Sequence, residues 1–416
     1  MSVMNIAGIV SEFNPFHKGH KYLIDETKKK GDVRYVIAIM SGNYVERGEP
    51  AVLDMGLRAS AALNSGCDMV FELPPGISVS SAEGFARGAV GILDSLGIDT
   101  LSFGSECGNI EDLMVPAGIL AKEPESYKIA LSGELSSGLS FPSAREKALL
   151  SVLKTLDIDN PEYYTGILRD PNNILAVEYL KALILSGSGI KPFTTKRVVS
   201  GYHKSSGETP DPSESSCYSA EKIRDIIYNG RSFPEGDTCL NYLKDALMIN
   251  GTVNPDSLSI LLCEKLLSGS LFDDLNSLKI PSDLARRIVN NSGYVGSFTG
   301  FIELLKSKNI TYTAISRYLL RLSLNIPSFD GTIPGYVRLL GFRMDAKDGL
   351  KAIKDRSKIT ILTNSSDIRE YLDHGKDAPG LKTHLRVDRT YELLRSDEKR
   401  RVHPLPPEIA RKLIVV

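Results

Sequence analysis

Ser11-Glu12-Phe13-Asn14-Pro15-Phe16-His17-Lys18-Gly19-His20-Lys21-Tyr22-Leu23 is the stretch on which the fold reading turns. An apolar run, Asn5–Phe13, leads into it and predicts a buried strand. Pro15 restricts its own φ and pushes Asn14 out of the α region, so Asn14-Pro15 predicts the turn. Helix-period residues follow from Gly19 to Lys30, with Gly31 as the stop. Gly19 permits close backbone approach by a ligand. The start of a helix presents N–H groups and a partial positive charge, which suits phosphate. His17 and His20 are three apart and share a face of the first turn. Both can donate to phosphate oxygens or to charge developing at a phosphoryl centre. A His-x-x-His string alone would equally suit surface histidines of a turn or a metal pair. The strand before it, the glycine within it and the helix after it favour the phosphate site, and no metal site is expected.

Working outward, short apolar strands alternate with amphipathic helices. Strands are predicted at 34–40, 68–73, 100–103 and 193–199. Helices are predicted at 53–64, 82–96, 143–155, 172–186 and 219–228. This alternation predicts an α/β, Rossmann-like parallel sheet domain over residues 1–230, with a Ser-, Pro- and Gly-rich surface loop near 200–217. Residues 231–356 read as a mainly helical region, with helix-period runs at 258–267, 283–290, 298–306 and 313–324. Residues 357–416, with a strand at 358–363, read as a small α/β tail.

The chain has 416 residues, a formal net charge of −1 and five cysteines. It is long enough for two or three cores. A near-neutral chain is not a polyanion binder as a whole, so any nucleic-acid surface must come from local clustering. Arg286, Arg287, Lys306, Lys308, Arg317 and Arg321 form such a cluster, with Arg317 and Arg321 one helical turn apart. Lys399-Arg400-Arg401 is a second run. A solvated helix face is the plainer account of any one of them. The cysteines form no Cys-x-x-Cys pair, which argues against a disulfide framework or a thiolate zinc site and for a cytoplasmic setting. No apolar run approaches the roughly 18 residues of a membrane span, and no signal peptide is expected.

Strand, His-x-Gly-His, helix resembles the nucleotidylyltransferases related to class I aminoacyl-tRNA synthetases. Tyr218-Ser219-Ala220-Glu221-Lys222-Ile223-Arg224 resembles the second motif of that superfamily. It makes Ser219 and Arg224 candidate nucleotide contacts, against a plain helix N-cap for Ser219. The fuller strings SEFNPFHKGHKYLI, IMSGNYVERGEPAVLD, GCDMVFELP, LSFGSE, PNNILAVEYLKAL and KRVVSGYH resemble the bacterial tRNA(Met) cytidine acetate ligases along the whole chain. That resemblance implies catalytic roles for His17 and His20. It implies ATP contacts at Val10, Ser11, Glu12, Phe13, Asn14, Pro15, Phe16, His17, Lys18, Gly19, His20, Lys21, Tyr22, Leu23, Gly104, Asn172 and Arg197. It implies ATP with Mg2+, acetate and elongator tRNA(Met) as reactants. Acetate would become acetyl-adenylate, and the acetyl group would pass to the wobble cytidine to give N4-acetylcytidine. One departure stands out: Met55 lies near where the family often has a lysine, so either Arg58 covers the charge or the nucleotide contacts differ slightly. The competing readings are an adenylyltransferase acting on a small phosphorylated cofactor precursor and an ATP-binding, RNA-binding protein without ligase activity. Oligomeric state is not expected from any feature.

Overall fold

The structure, a computed structural model, describes residues 5–197, 218–231, 242–243, 252–294, 296–395 and 411–416. Strand β1 (Ile6–Ser11) leads into the helix Lys18–Lys30 and β2 (Tyr35–Ser41). A short hairpin, β3 (Tyr44–Val45) and β4 (Glu49–Pro50), precedes the helix Met55–Asn64 and β5 (Met69–Leu73). The helix Ala82–Ser95 connects to β6 (Thr100–Ser105). Helices between Ile110 and Ser186, the last being Pro171–Ser186, connect to β7 (Lys191–Lys196). The helix Ala220–Tyr228 follows. The elements expected from the sequence in this half are all present, with ends shifted by a few residues.

β5, β2, β1, β6 and β7 lie side by side in that order and run parallel. The pleat sends alternate residues to opposite faces. Tyr35, Ile37 and Ile39 of β2 enter one core, while Val36, Ala38 and Met40 enter the other. Both faces are covered, so β2 is buried along its whole length and reads as an unbroken apolar run. The direction of winding reverses between β1 and β6. In an open parallel sheet, that reversal leaves a crevice beyond the strands' carboxyl ends.

The carboxyl-terminal part was read differently from the sequence. A strand not expected there, β8 (Tyr336–Phe342), pairs antiparallel with β5. β9 (Thr360–Leu362) and β10 (Ile414–Val415) both run parallel along the outer side of β8. The tail expected as a small α/β piece therefore contributes strands to the main sheet. A short apolar run such as YVRLLGF cannot be told from a buried helical turn by periodicity, and it lay in a stretch read as helical.

Helices Ser259–Leu267, Leu271–Ser277, Ser282–Asn290, Phe298–Leu305 and Tyr312–Leu324 enclose a core of their own. Tyr44 of the hairpin and Tyr391 of the helix Ala378–Leu394 complete it. No described helix is long and apolar enough to cross a membrane. The Lys399-Arg400-Arg401 run and the loop near 200–217 lie outside the described residues.

Candidate nucleotide site

The crevice at the reversal is walled by the ends of β1, β6 and β7. After β1, Phe13 takes a positive φ of 46° and Asn14-Pro15 is a cis peptide. Phe13 and Phe16 sink into the core, and Leu23 packs on the same cluster. Asn14 Oδ1 accepts from the Val52 amide at 2.8 Å. With the loop pinned at both ends, His17 becomes the N-cap of the first helix. Its Nδ1 accepts from the Gly19 amide at 3.0 Å, and His20 Nδ1 accepts from the His17 amide at 3.3 Å. The two rings stack with centroids 3.9 Å apart. His20 also meets the edge of Phe13.

An imidazole that accepts at Nδ1 while neutral carries its proton on Nε2. Burial, with Arg197 and Arg224 nearby, lowers the His17 pKa to about 4. Burial, His17 and Arg197 hold His20 well below the usual histidine range. Both are therefore neutral at pH 7, and each has an Nε2–H donor. The sequence suggested open amides at this helix start. The Gly19 amide is instead capped by His17, and the imidazoles add Nε2–H donors at this helix start.

On the facing wall, Gly104, next to last in β6, lies beneath Arg197, and a Cβ there would lie 3.3 Å from Arg197 Cγ. Arg197 Nη1 donates to Asn172 Oδ1 at 3.2 Å. Asn172 Nδ2 donates to Glu106 Oε1 at 2.6 Å, and the Asn173 amide donates to Glu106 Oε2 at 2.9 Å. Glu106, not singled out in the sequence, thus sits on the amino end of the helix Pro171–Ser186, where a carboxylate is favoured. It holds Asn172 and lies 3.8 Å from Arg197 Nε. The LSFGSE string contained it, but nothing in the string separated it from a solvated glutamate.

The second motif reaches the same place from the other side. Arg224, nearly buried, donates from Nη1 to the Asn14 carbonyl at 2.8 Å. Ser219 caps its own helix by accepting from the Lys222 amide, so its hydroxyl oxygen has a structural partner.

These walls carry the donors that a phosphate chain needs. The model of the HIGH Nucleotidyl Transferase family matches residues 4–403. A tRNA(Met) cytidine acetate ligase of Halothermothrix orenii is 37% identical over 390 residues, 87% of each chain. One from Clostridium perfringens is 36% identical over 409 residues, covering 95% of this chain and 97% of that one.

The chain belongs to the tRNA(Met) cytidine acetate ligase family of HIGH nucleotidyl transferases.

The crystal structure of Thermotoga maritima TmcAL in its apo form superposes with a TM-score of 0.87 at 30% identity, covering 99% of this chain and 100% of that one. TmcAL bound with alpha-thio ATP superposes with a TM-score of 0.85. In this ligase-family chain, several expected residues converge: His17, His20, Gly104, Asn172, Arg197 and Arg224. Lys21 pairs with Asp25 at 2.8 Å, and Tyr22 points outward. Val10 and Ser11 are half-buried at the end of β1.

Three charges depart from the expectation. Arg58 does not substitute for the family's lysine. It is wholly buried and donates to the carbonyls of Leu53, Glu12, Ser41 and Gly42. Arg321 is not on an RNA-facing surface: it is buried and donates to the carbonyls of Ile326 and Leu278 and to Ser328. Arg317 pairs with Glu46 at 2.7 Å rather than pointing to solvent. Arg286 and Lys308 are exposed, Lys306 pairs with Glu303, and Arg287 donates to the Lys306 carbonyl at 2.6 Å.

Glu72, His384 and Asp388 form the described grouping with metal-ligand geometry. The Arg338 guanidinium lies 3.0 Å from Glu72 and 2.7 Å from Asp388, supplying the positive charge a metal would bring.

Proposed function

We propose that this chain activates acetate with ATP and acetylates the wobble cytidine of elongator tRNA(Met), giving N4-acetylcytidine. The observation that carries this reading is the convergence of two neutral Nε2–H donors and Arg197 beside Gly104 and Asn172. It occurs in a chain that matches the ligase relatives over nearly their whole length.

ATP arrives as its magnesium complex. An acetate oxygen attacks the α-phosphorus, and the bond to the bridging oxygen of pyrophosphate breaks. His17, His20 and Arg197 donate to the oxygens on which negative charge accumulates. The product is the mixed anhydride acetyl-AMP, so no side chain becomes a covalent nucleophile. The cytidine N4 amine then attacks the acetyl carbonyl, AMP departs, and one amine proton is lost. The base must leave the anticodon stack to reach the crevice. Residues 1–230 would hold ATP, and residues 231–356 would present Arg286, Lys306 and Lys308 to RNA phosphates.

The test is acetate-dependent exchange of pyrophosphate into ATP, followed by nucleoside analysis of elongator tRNA(Met) incubated with protein, MgATP and labelled acetate. Exchange and labelled N4-acetylcytidine are expected. Binding of ATP with no exchange in the presence of acetate would replace the reading with one of an RNA-binding protein.

A further inference from the structure

The β3–β4 hairpin stands between the phosphate loop and the helical half, and it touches both. On one side, the Glu46 amide donates to Glu12 Oε1 at 2.7 Å, at the mouth of the crevice. Glu49, next to the turn, lies 3.9 Å from Arg224 Nε, the arginine that holds the Asn14 carbonyl. On the other side, the turn is seated on the helix Tyr312–Leu324. Ser316 Oγ donates to the Gly48 carbonyl at 2.8 Å. Gly48 has a φ of 81°, and a Cβ there would run into the main chain of Ser316 and Arg317. Arg317 donates from Nη1 to the Glu46 carbonyl at 3.2 Å and to its carboxylate at 2.7 Å.

We infer that Arg317 is a positioning residue of the nucleotide site, holding the Glu46 carboxylate paired and away from the phosphates of ATP. This rests on the ATP reading above and adds a role for a residue that the sequence assigned to RNA. Glu46 meets Glu12, the residue between β1 and the proposed phosphate loop, so two carboxylates stand at the entry to that loop. Without a cation, a charged Glu46 beside Glu12 would repel phosphates bound at the loop that Glu12 leads into. Burial already pushes Glu46 above the usual carboxylate range, and Arg317 is the chief force against that rise. The groups facing Glu46 are Arg317 from the helix Tyr312–Leu324, Glu12 after β1, Arg47 beside it in the hairpin, and the buried Tyr179 of the helix Pro171–Ser186.

The sign of the effect follows. In Arg317→Ala, a charged Glu46 opposes ATP, so affinity falls. As pH drops, Glu46 takes up a proton and the deficit closes. An arginine that contacts RNA would do neither.

ATP affinity should be measured by equilibrium titration of the full chain without acetate, so that the result does not depend on ligase chemistry. Relative to wild type, Arg317→Ala is expected to lose roughly tenfold at pH 8, the size of one unit on the pKa scale. The loss should shrink toward pH 5. Arg317→Ala/Glu46→Gln should return to within about twofold of wild type, and Arg317→Lys should keep most of the affinity. Unchanged ATP affinity with weakened tRNA binding would overturn the inference in favour of an RNA contact. A loss that neither low pH nor Glu46→Gln reverses would overturn it in favour of a purely structural role. If wild type binds ATP but shows no acetate-dependent exchange, the ligase reading fails while this inference stands or falls on the titrations.

Discussion

His17 and His20 stack ring on ring, and each Nδ1 accepts a main-chain amide, so both Nε2–H groups aim away from the helix they cap. Capping falls to Nδ1 and the phosphate recognition proposed above would fall to Nε2, opposite nitrogens of one ring, which makes the two separable. His17→Asn keeps a good N-cap acceptor but removes the Nε2 donor. Its melting temperature should stay near wild type, while acetate-dependent exchange falls by about 10²–10³, the usual effect of deleting one transition-state donor. His20→Ala should lose a similar factor. A His20→Ala enzyme at full rate would remove that ring from the mechanism.

The pH dependence follows from the lowered histidines. His17 titrates at about 4, held there by burial and by Arg197 and Arg224. The free enzyme should therefore show no histidine-linked loss of ATP binding as pH rises through about 6.5, where an ordinary histidine loses its charge. Bound phosphates favour the protonated ring and raise its pKa, so ATP should bind with proton uptake below neutrality. Calorimetry in two buffers of different ionisation enthalpy measures that uptake directly; zero uptake near pH 5.5 would place the phosphates elsewhere. For stability, the folded pKa lies below the unfolded value, so the unfolded chain binds more protons between them. His17 then costs stability as pH falls from about 6.5 toward 4.

Glu106 is the lynchpin of the facing wall, through Asn172 and the Asn173 amide. Glu106→Ala leaves Asn172 and Arg197 without their shared anchor. A hydrogen bond to a charged group is worth about 1.5–3 kcal/mol, so the KM for ATP should rise by roughly ten- to 150-fold at most. The adenylation rate at saturating ATP should change far less. A fall in that rate with unchanged KM would make Glu106 part of the chemistry instead.

The sheet and one wall of the site were legible because they are written in local patterns. β1, the His17–His20 turn and its helix are contiguous, and the apolar runs of a doubly covered sheet are hard to mistake. Gly104, Asn172 and Arg197 carried no local signal and were reached only through resemblance. Glu106 was missed because its role exists only once β6 and the helix Pro171–Ser186 are side by side. The pairing of Arg317 and the burial of Arg321 were missed for a related reason. Helical spacing placed them one turn apart, which was correct, but spacing does not say that Gly48 packs against that turn or that Leu278 and Ile326 offer carbonyls there. β8 was lost because its partner β5 lies far away in sequence, and its arginine hid the strand.

That arginine supports the last prediction. Arg338 of β8 sits opposite Glu72 in the β5 register and bridges it to Asp388 on the helix Ala378–Leu394. His384 Nε2 lies 2.9 Å from Glu72, and the Tyr336 hydroxyl meets the other ring nitrogen at 3.2 Å. Burial alone would raise Glu72, but Arg338 and His384 outweigh it and hold the carboxyl at about 2. Its folded pKa is below its unfolded value, so the stability it contributes is present above about 4.5 and is lost as pH falls toward 2. Arg338→Met keeps the length of the side chain and leaves two buried carboxylates facing each other. Removing one partner from a buried charge cluster typically costs about 3–5 kcal/mol, and urea unfolding at pH 7 should show a loss of that order. Because Glu72 and Asp388 can then take up protons, the gap to wild type should narrow as pH falls. Adding Glu72→Gln and Asp388→Asn to Arg338→Met removes the stranded charges and should recover most of the loss. If the triple variant stays as unstable as Arg338→Met, the β5–β8 seam is held by packing rather than by charge.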